Sequence, residues 1–152
     1  MSYKVRFVNY PRQYQIYKKE FDSVWEEIMS GGDFILRQHL EDFEKRIADY
    51  IGVKHAIGVN TGTDALYLSA HALGFGHGDE IITVAHTFVA TIGAIVQCGA
   101  IPVLIDITDD FNMDVDQIES VITTRTKGII PVHLNGHACN MEKSWQSQKN
   151  TI

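Results

Sequence analysis

Apolar residues recur first with a helical period. Phe21, Val24, Trp25 and Ile28 fall on one face of a segment from about Lys18 to Met29, and the Gly31-Gly32 pair supplies a stop. After the short apolar segment Phe34-Ile35-Leu36, a second helix is predicted from about Gln38 to Tyr50, with Leu40, Phe43, Ile47, Tyr50 and Ile51 facing inward and Gly52 ending it. From His55 the period changes. Ala56 to Val59 reads as a short strand, Asn60-Thr61-Gly62 as a turn, and Thr63 to Leu73 as a helix closed by Gly74. The same order recurs: strand Glu80–Val84 with helix Phe88–Gln97, strand Ile101–Ile105 with helix Asp114–Ile122, then strand Gly128–Val132. Strands alternating with helices predict an α/β fold, a mostly parallel sheet with flanking helices.

At 152 residues, with 45% hydrophobic and 21% charged positions, the chain fits one folded domain rather than two, and no linker or repeat divides it. Three stretches are distinguished within it: leading helices over 1–52, βα units over 53–141, and an atypical polar tail over 142–152, where only Trp145 and Ile152 are strongly apolar. The two cysteines, Cys98 and Cys139, are scattered, which fits a reducing compartment and a cytoplasmic protein. The amino terminus lacks the apolar core of a signal peptide. The charge-free run from Ile81 to Ile105 contains Pro102, Gln97 and His86 and is flanked by acidic residues, so it is read as strand, helix and strand rather than as a membrane span.

Charge narrows the partners. Thirteen Lys plus Arg against nineteen Asp plus Glu give a net charge of −6, the wrong sign for binding nucleic-acid phosphates. No Lys or Arg occurs between Lys54 and Arg125, so an anion bound in that stretch must be held by backbone N–H groups or hydroxyls. The turn Asn60-Thr61-Gly62-Thr63-Asp64 offers such donors where a strand meets a helix start, a place at which parallel-sheet folds bind ligands. The competing reading is that Thr61 or Thr63 only caps the helix. It matches neither a P-loop nor a dinucleotide fingerprint, and Gly74-Phe75-Gly76-His77-Gly78 reads as a helix stop and loop.

Ala85-His86-Thr87-Phe88 follows the next strand and opens onto the same sheet edge. Phe88 is either an aromatic face for a flat ring or an ordinary core residue. After the last strand, His133-Leu134-Asn135-Gly136-His137-Ala138-Cys139 brings two histidines and a thiol close in sequence, which suits hydrogen bonds to a substrate better than zinc, because no fourth ligand is near. Asp106, closing the third strand, reads as a loop or cap residue.

Gly-Thr-Asp-Ala-Leu, Ala-His-Thr-Phe-Val-Ala-Thr, Gly-Ala-Ile-Pro-Val-Leu-Ile-Asp-Ile and Thr-Arg-Thr-Lys-Gly-Ile-Ile-Pro-Val-His-Leu-Asn-Gly-His follow one another in an order that resembles the DegT/StrS family of pyridoxal-phosphate-dependent sugar aminotransferases, over about Phe7 to Met141. The resemblance implies the amino-terminal part of a fold type I large domain. It implies that Gly62, Thr63 and Asp64 contact the phosphate of pyridoxal 5'-phosphate with Thr61 supporting the turn, that Phe88 stacks on the pyridine ring, and that His133 and Asn135 contact substrate. The implied reaction carries an amino group, usually from glutamate, to a keto group of a nucleotide-linked sugar, in a homodimer.

The family's catalytic lysine and its acidic Glu-Asp-Ala-Ala-Gln motif have no counterpart here, and Lys127, Lys143 and Lys149 lack the lysine's surroundings. Arg37 stands where many relatives carry glycine. No catalytic residue is therefore assigned, and the chain is expected to be inactive alone, a truncated or frame-shifted product or a fragment. The alternative is a non-catalytic module that binds a phosphorylated ligand or pairs with a full-length relative. An unpaired edge on the last strand further predicts association or poor solubility.

Overall fold

A three-stranded parallel sheet carries the second half of the molecule in a computed structural model that describes residues 5–32 and 34–144. The tail features Trp145, Lys149 and Ile152 lie outside the described residues; 141–144 are helical. The chain divides into two compact units, Met1–Gly58 and Val59–Ile152, taken here in turn.

In the first unit, helix α1 (Tyr10–Gly31) begins well before the predicted start at Lys18. The start signal is local: Asn9 Oδ1 accepts the Arg12 amide at 3.3 Å and a proline occupies the first turn, where its missing N–H costs nothing. Gly32 closes the helix in the left-handed conformation, as the glycine pair predicted. None of the α1 side chains is buried, and Trp25 is 67% exposed. Helix α2 (Gln38–Ile51) matches its predicted span and ends at Gly52, but only Ala48 is buried. Leu40 and Ile47 are half-buried, whereas Phe43, Tyr50 and Ile51 are exposed rather than inward. The helical period identified an apolar stripe correctly; no described segment covers all of it.

The predicted strand at Ala56–Val59 does not form: the segment has no regular secondary structure and no ladder partner among the described residues. The Gly58 amide instead donates to Glu44 Oε1 at 2.6 Å, and a β-carbon at Gly58 would lie 2.7 Å from Leu40 Cδ1. A side-chain acceptor on α2 thus takes a donor that a ladder would have used.

In the second unit, α3 (Gly62–Ala72) precedes β1 (Glu80–Val84), α4 (Val89–Gln97), β2 (Ile101–Ile105), α5 (Ile118–Val121) and β3 (Thr126–Ile129). The strand order is β2-β1-β3, all parallel, with Val84 level with Ile105. The β1 and β2 bounds match those predicted. β3 starts earlier than the predicted Gly128 and ends earlier than Val132: Ile130 N still reaches Ile82 O at 2.9 Å, and Pro131, without an N–H, stops the pairing. The helix predicted over Asp114–Ile122 divides into a 3₁₀ turn, Val115–Gln117, and the short α5; Asp114 caps the turn by accepting the Asp116 amide at 3.1 Å.

Central strand β1 is buried along its whole length. Its alternation feeds two cores: Ile82 and Val84 pack with Ile105, Met113, Val115, Ile118 and Cys139, while Ile81 packs with Ile95 and Ala100. Apolar packing on both faces is the arrangement expected of a parallel strand. α3 lies against α4.

Candidate functional site

Thr61 is extended and caps α3, its Oγ1 accepting the Asp64 amide at 3.0 Å and donating to Asp64 Oδ2 at 3.0 Å. Ala65 N closes the first backbone bond to Thr61 O at 3.0 Å. The amides of Gly62 and Thr63 have no acceptor among the described residues, so they remain open to an external anion. A β-carbon on Gly62 would meet nothing within 4 Å, which leaves the approach clear. Of the three predicted phosphate contacts, Gly62 and Thr63 keep free backbone donors, whereas the Asp64 amide is already satisfied. Capping and anion binding are thus not alternatives here: Thr61 caps with its side chain while two amides stay open.

Phe88 is the N-cap residue of α4, directly after the carboxyl end of β1, and is 74% exposed. It is not a core phenylalanine. Thr87 Oγ1 and Thr91 Oγ1 lie 2.9 Å apart and brace the turn that carries it. Phe88 and the Thr61 turn therefore stand at the amino ends of two helices packed against each other. The donor set and the ring suit a phosphorylated aromatic cofactor held without a basic side chain.

Beyond the level ends of β1 and β2, a cavity of about 310 Å³ is lined by Ala85, His86, Ile105, Asp106 and Ile107. His86 stacks on Phe111, ring centroids 5.9 Å apart. Phe111 was not singled out from sequence. It sits at the tip of a hairpin closed by the Ile107–Met113 bridge, with φ of 67°, a left-handed conformation uncommon for a bulky side chain. The run Asp109-Asp110-Phe111-Asn112 carries turn residues, the one signal that could have drawn attention to it. Asp106 is a loop residue whose Oδ1 accepts the Ile107 amide at 2.8 Å. The Thr108 hydroxyl, then the Asn112 amide, hold the Asp110 carboxyl below the usual carboxylate range.

The loop after β3 contains a 3₁₀ turn, Leu134–Gly136, in which Asn135 and Gly136 adopt φ of 51° and 84°. His133, Asn135 and His137 are exposed and Cys139 is buried. Burial pushes the Cys139 thiol up, and the side chain packs in the core with Ile82, Val84 and Met113. No group of three or more His, Cys, Asp or Glu among the described residues is placed to hold a metal ion. No described helix is long and apolar enough to cross a membrane.

Known proteins share much of this sequence and its fold. A model described as the DegT/DnrJ/EryC1/StrS aminotransferase family matches residues 15–150. GDP-perosamine synthase of Caulobacter vibrioides is 48% identical over 122 residues, covering 80% of this chain and 31% of that protein. A pleiotropic regulatory protein of Geobacillus stearothermophilus is 43% identical over 139 residues, 91% of this chain and 37% of its own. Other relatives are transaminases named for dTDP-linked amino sugars. The crystal structure of NtdA from Bacillus subtilis, with bound cofactor PMP, superposes with a TM-score of 0.92 at 34% identity, over 99% of this chain and 35% of that one. The chain spans about a third of the length of the curated relatives it matches. Shared sequence over nearly all of the chain and a shared α/β fold together make it a member of the DegT/DnrJ/EryC1/StrS aminotransferase family.

Proposed function

We propose that this chain is the amino-terminal portion of the large domain of a pyridoxal-phosphate-dependent aminotransferase acting on a nucleotide-linked keto sugar, with glutamate as amino donor, in a homodimer in the cytoplasm. The observation that carries this reading is the pair of open amides at the start of α3, Gly62 and Thr63, together with the exposed ring of Phe88 at the start of α4, a helix packed against α3. When bound, the cofactor supplies an aldehyde that carries the amino group and a ring that accepts electron density. This chain's part is binding and orientation. Gly62 and Thr63 donate to phosphate oxygens, the α3 dipole adds to their pull, and Asp64 serves by holding the turn through Thr61. Phe88 covers one face of the ring. His133 and Asn135 meet the sugar.

Covalent chemistry is not assigned to this portion. In the second unit, Lys127 lies at the amino end of β3, opposite the cofactor edge, and Lys143 Nζ is paired with Asp116 Oδ1 at 2.6 Å. That disposition favours, as a second reading, a non-catalytic module that binds a phosphorylated ligand or pairs with a longer relative. On either reading the chain alone is expected not to turn over.

Equilibrium dialysis of the full chain against pyridoxamine 5'-phosphate tests the binding claim, because this form has the ring and phosphate but no aldehyde to link to surface lysines. Saturable binding competed by inorganic phosphate is expected, weakened roughly 2- to 12-fold in Phe88→Ala, the equivalent of about 0.5–1.5 kcal/mol of ring stacking. No binding, or indifference to the Phe88 substitution, would refute the site. A borohydride-reducible band with pyridoxal phosphate, accompanied by turnover of a keto sugar, would refute the assignment of inactivity.

A further inference from the structure

Asn112 is a polar side chain only 3% exposed, one residue past the hairpin tip at Phe111. Its carboxamide is engaged on both sides by the loop after β3. Oδ1 accepts the Leu134 amide at 3.4 Å, while Nδ2 reaches His137 Nδ1 at 3.0 Å and the Ala138 carbonyl at 3.4 Å. Only one orientation of the carboxamide satisfies an amide N–H on one side and a carbonyl on the other. With the nitrogen thus turned toward His137, Nδ1 of that ring accepts, and its proton resides on Nε2. Asp110 Oδ2 would favour the opposite arrangement, but at 3.8 Å from the same Nδ1 it lies beyond hydrogen-bond reach, whereas Asn112 Nδ2 stands at 3.0 Å. His133 reaches the same state independently, its Nδ1 accepting the Cys139 amide at 3.1 Å.

We infer that Asn112 is a positioning residue that fixes the loop 133–139 and, through the His137 contact, makes it a presenter of two neutral imidazoles whose Nε2–H groups donate to uncharged oxygen acceptors. The matching ligand chemistry is the hydroxyl and carbonyl oxygens of a sugar. The identity of that ligand rests on the function proposed above; the proton positions do not.

Long-range proton–nitrogen correlation spectra of the nitrogen-15-labelled full chain at neutral pH read the proton on each ring nitrogen directly. Both His133 and His137 are expected as single Nε2–H tautomers; a proton on His137 Nδ1, or averaging between tautomers, would overturn the inference. Asn112→Asp replaces the donor with acceptors and is expected to move the His137 proton to Nδ1 while His133 stays as it was. An unchanged His137 in the folded variant would overturn it. Asp110→Asn, which removes only the competing carboxylate, is expected to leave the His137 tautomer unchanged, and a switch there would assign control to Asp110 instead. Neither cofactor nor sugar enters these spectra, so their failure is distinct from failure of the dialysis experiment.

Discussion

Gly128 shows how one missing side chain shapes the second unit. A β-carbon there would stand 2.5 Å from Phe75 Cζ, closer than any real contact, so the bare strand surface is the seat of the Phe75 ring. Gly128→Ala forces the ring to shift and is expected to destabilise the protein by about 1–3 kcal/mol, the usual cost of overpacking, read as a lowered urea midpoint at unchanged slope. No such cost attaches to Phe88, whose ring has solvent on most of its surface; its value lies in what it can cover. Sequence pattern named Phe88 as a dual possibility, and its exposure removes the core reading. Phe111 shows the reverse, since nothing in its immediate pattern separates a turn aromatic from one held in a left-handed conformation against His86.

At the scale of elements, the edge opposite the candidate site is tied by charge. The buried Glu80 carboxylate, at the start of β1, accepts hydrogen bonds from the Thr123 hydroxyl and the Arg125 guanidinium just before β3. The Thr123 bond first, then Arg125, hold its carboxyl below the usual carboxylate range against the opposing cost of burial. A carboxyl whose folded pKa is depressed stabilises the fold at every pH above its unfolded value and loses that contribution as pH falls through the folded value. The stability difference between the wild type and Glu80→Gln is therefore expected to be constant at neutral pH and to shrink below the ordinary carboxylate range. Chemical denaturation across acidic pH measures it, and a difference that grows on acidification would contradict the assignment. This clamp sets β3 beside β1, and through that pairing sets where the His133–Cys139 loop emerges.

Across the whole molecule, β2 and β3 each leave one edge unpaired among the described residues. Beside β3, an open apolar groove of about 450 Å³ runs against α3, with Leu66, Ala70, Leu73, Ile129 and Ile130 in its walls. Free ladder groups next to uncovered apolar surface promote association. The 152-residue chain is accordingly expected to self-associate as its concentration rises, and sedimentation velocity showing one monodisperse monomer at all concentrations would refute this.

Local chemistry determined much of this protein from sequence alone. Gly32, Gly52 and Gly74 mark helix ends because left-handed backbone favours residues without a β-carbon, and the β1 and β2 spans follow from short apolar runs between turn residues. A threonine cap at Thr61 or Thr63 and the order of the motifs were equally readable. Tertiary structure alone decided the rest. It left Ala56–Val59 without a strand partner among the described residues, because pairing depends on what lies beside a segment and not on its composition. It also brought Asn112 to His137 across 25 positions, a contact to which no local pattern points.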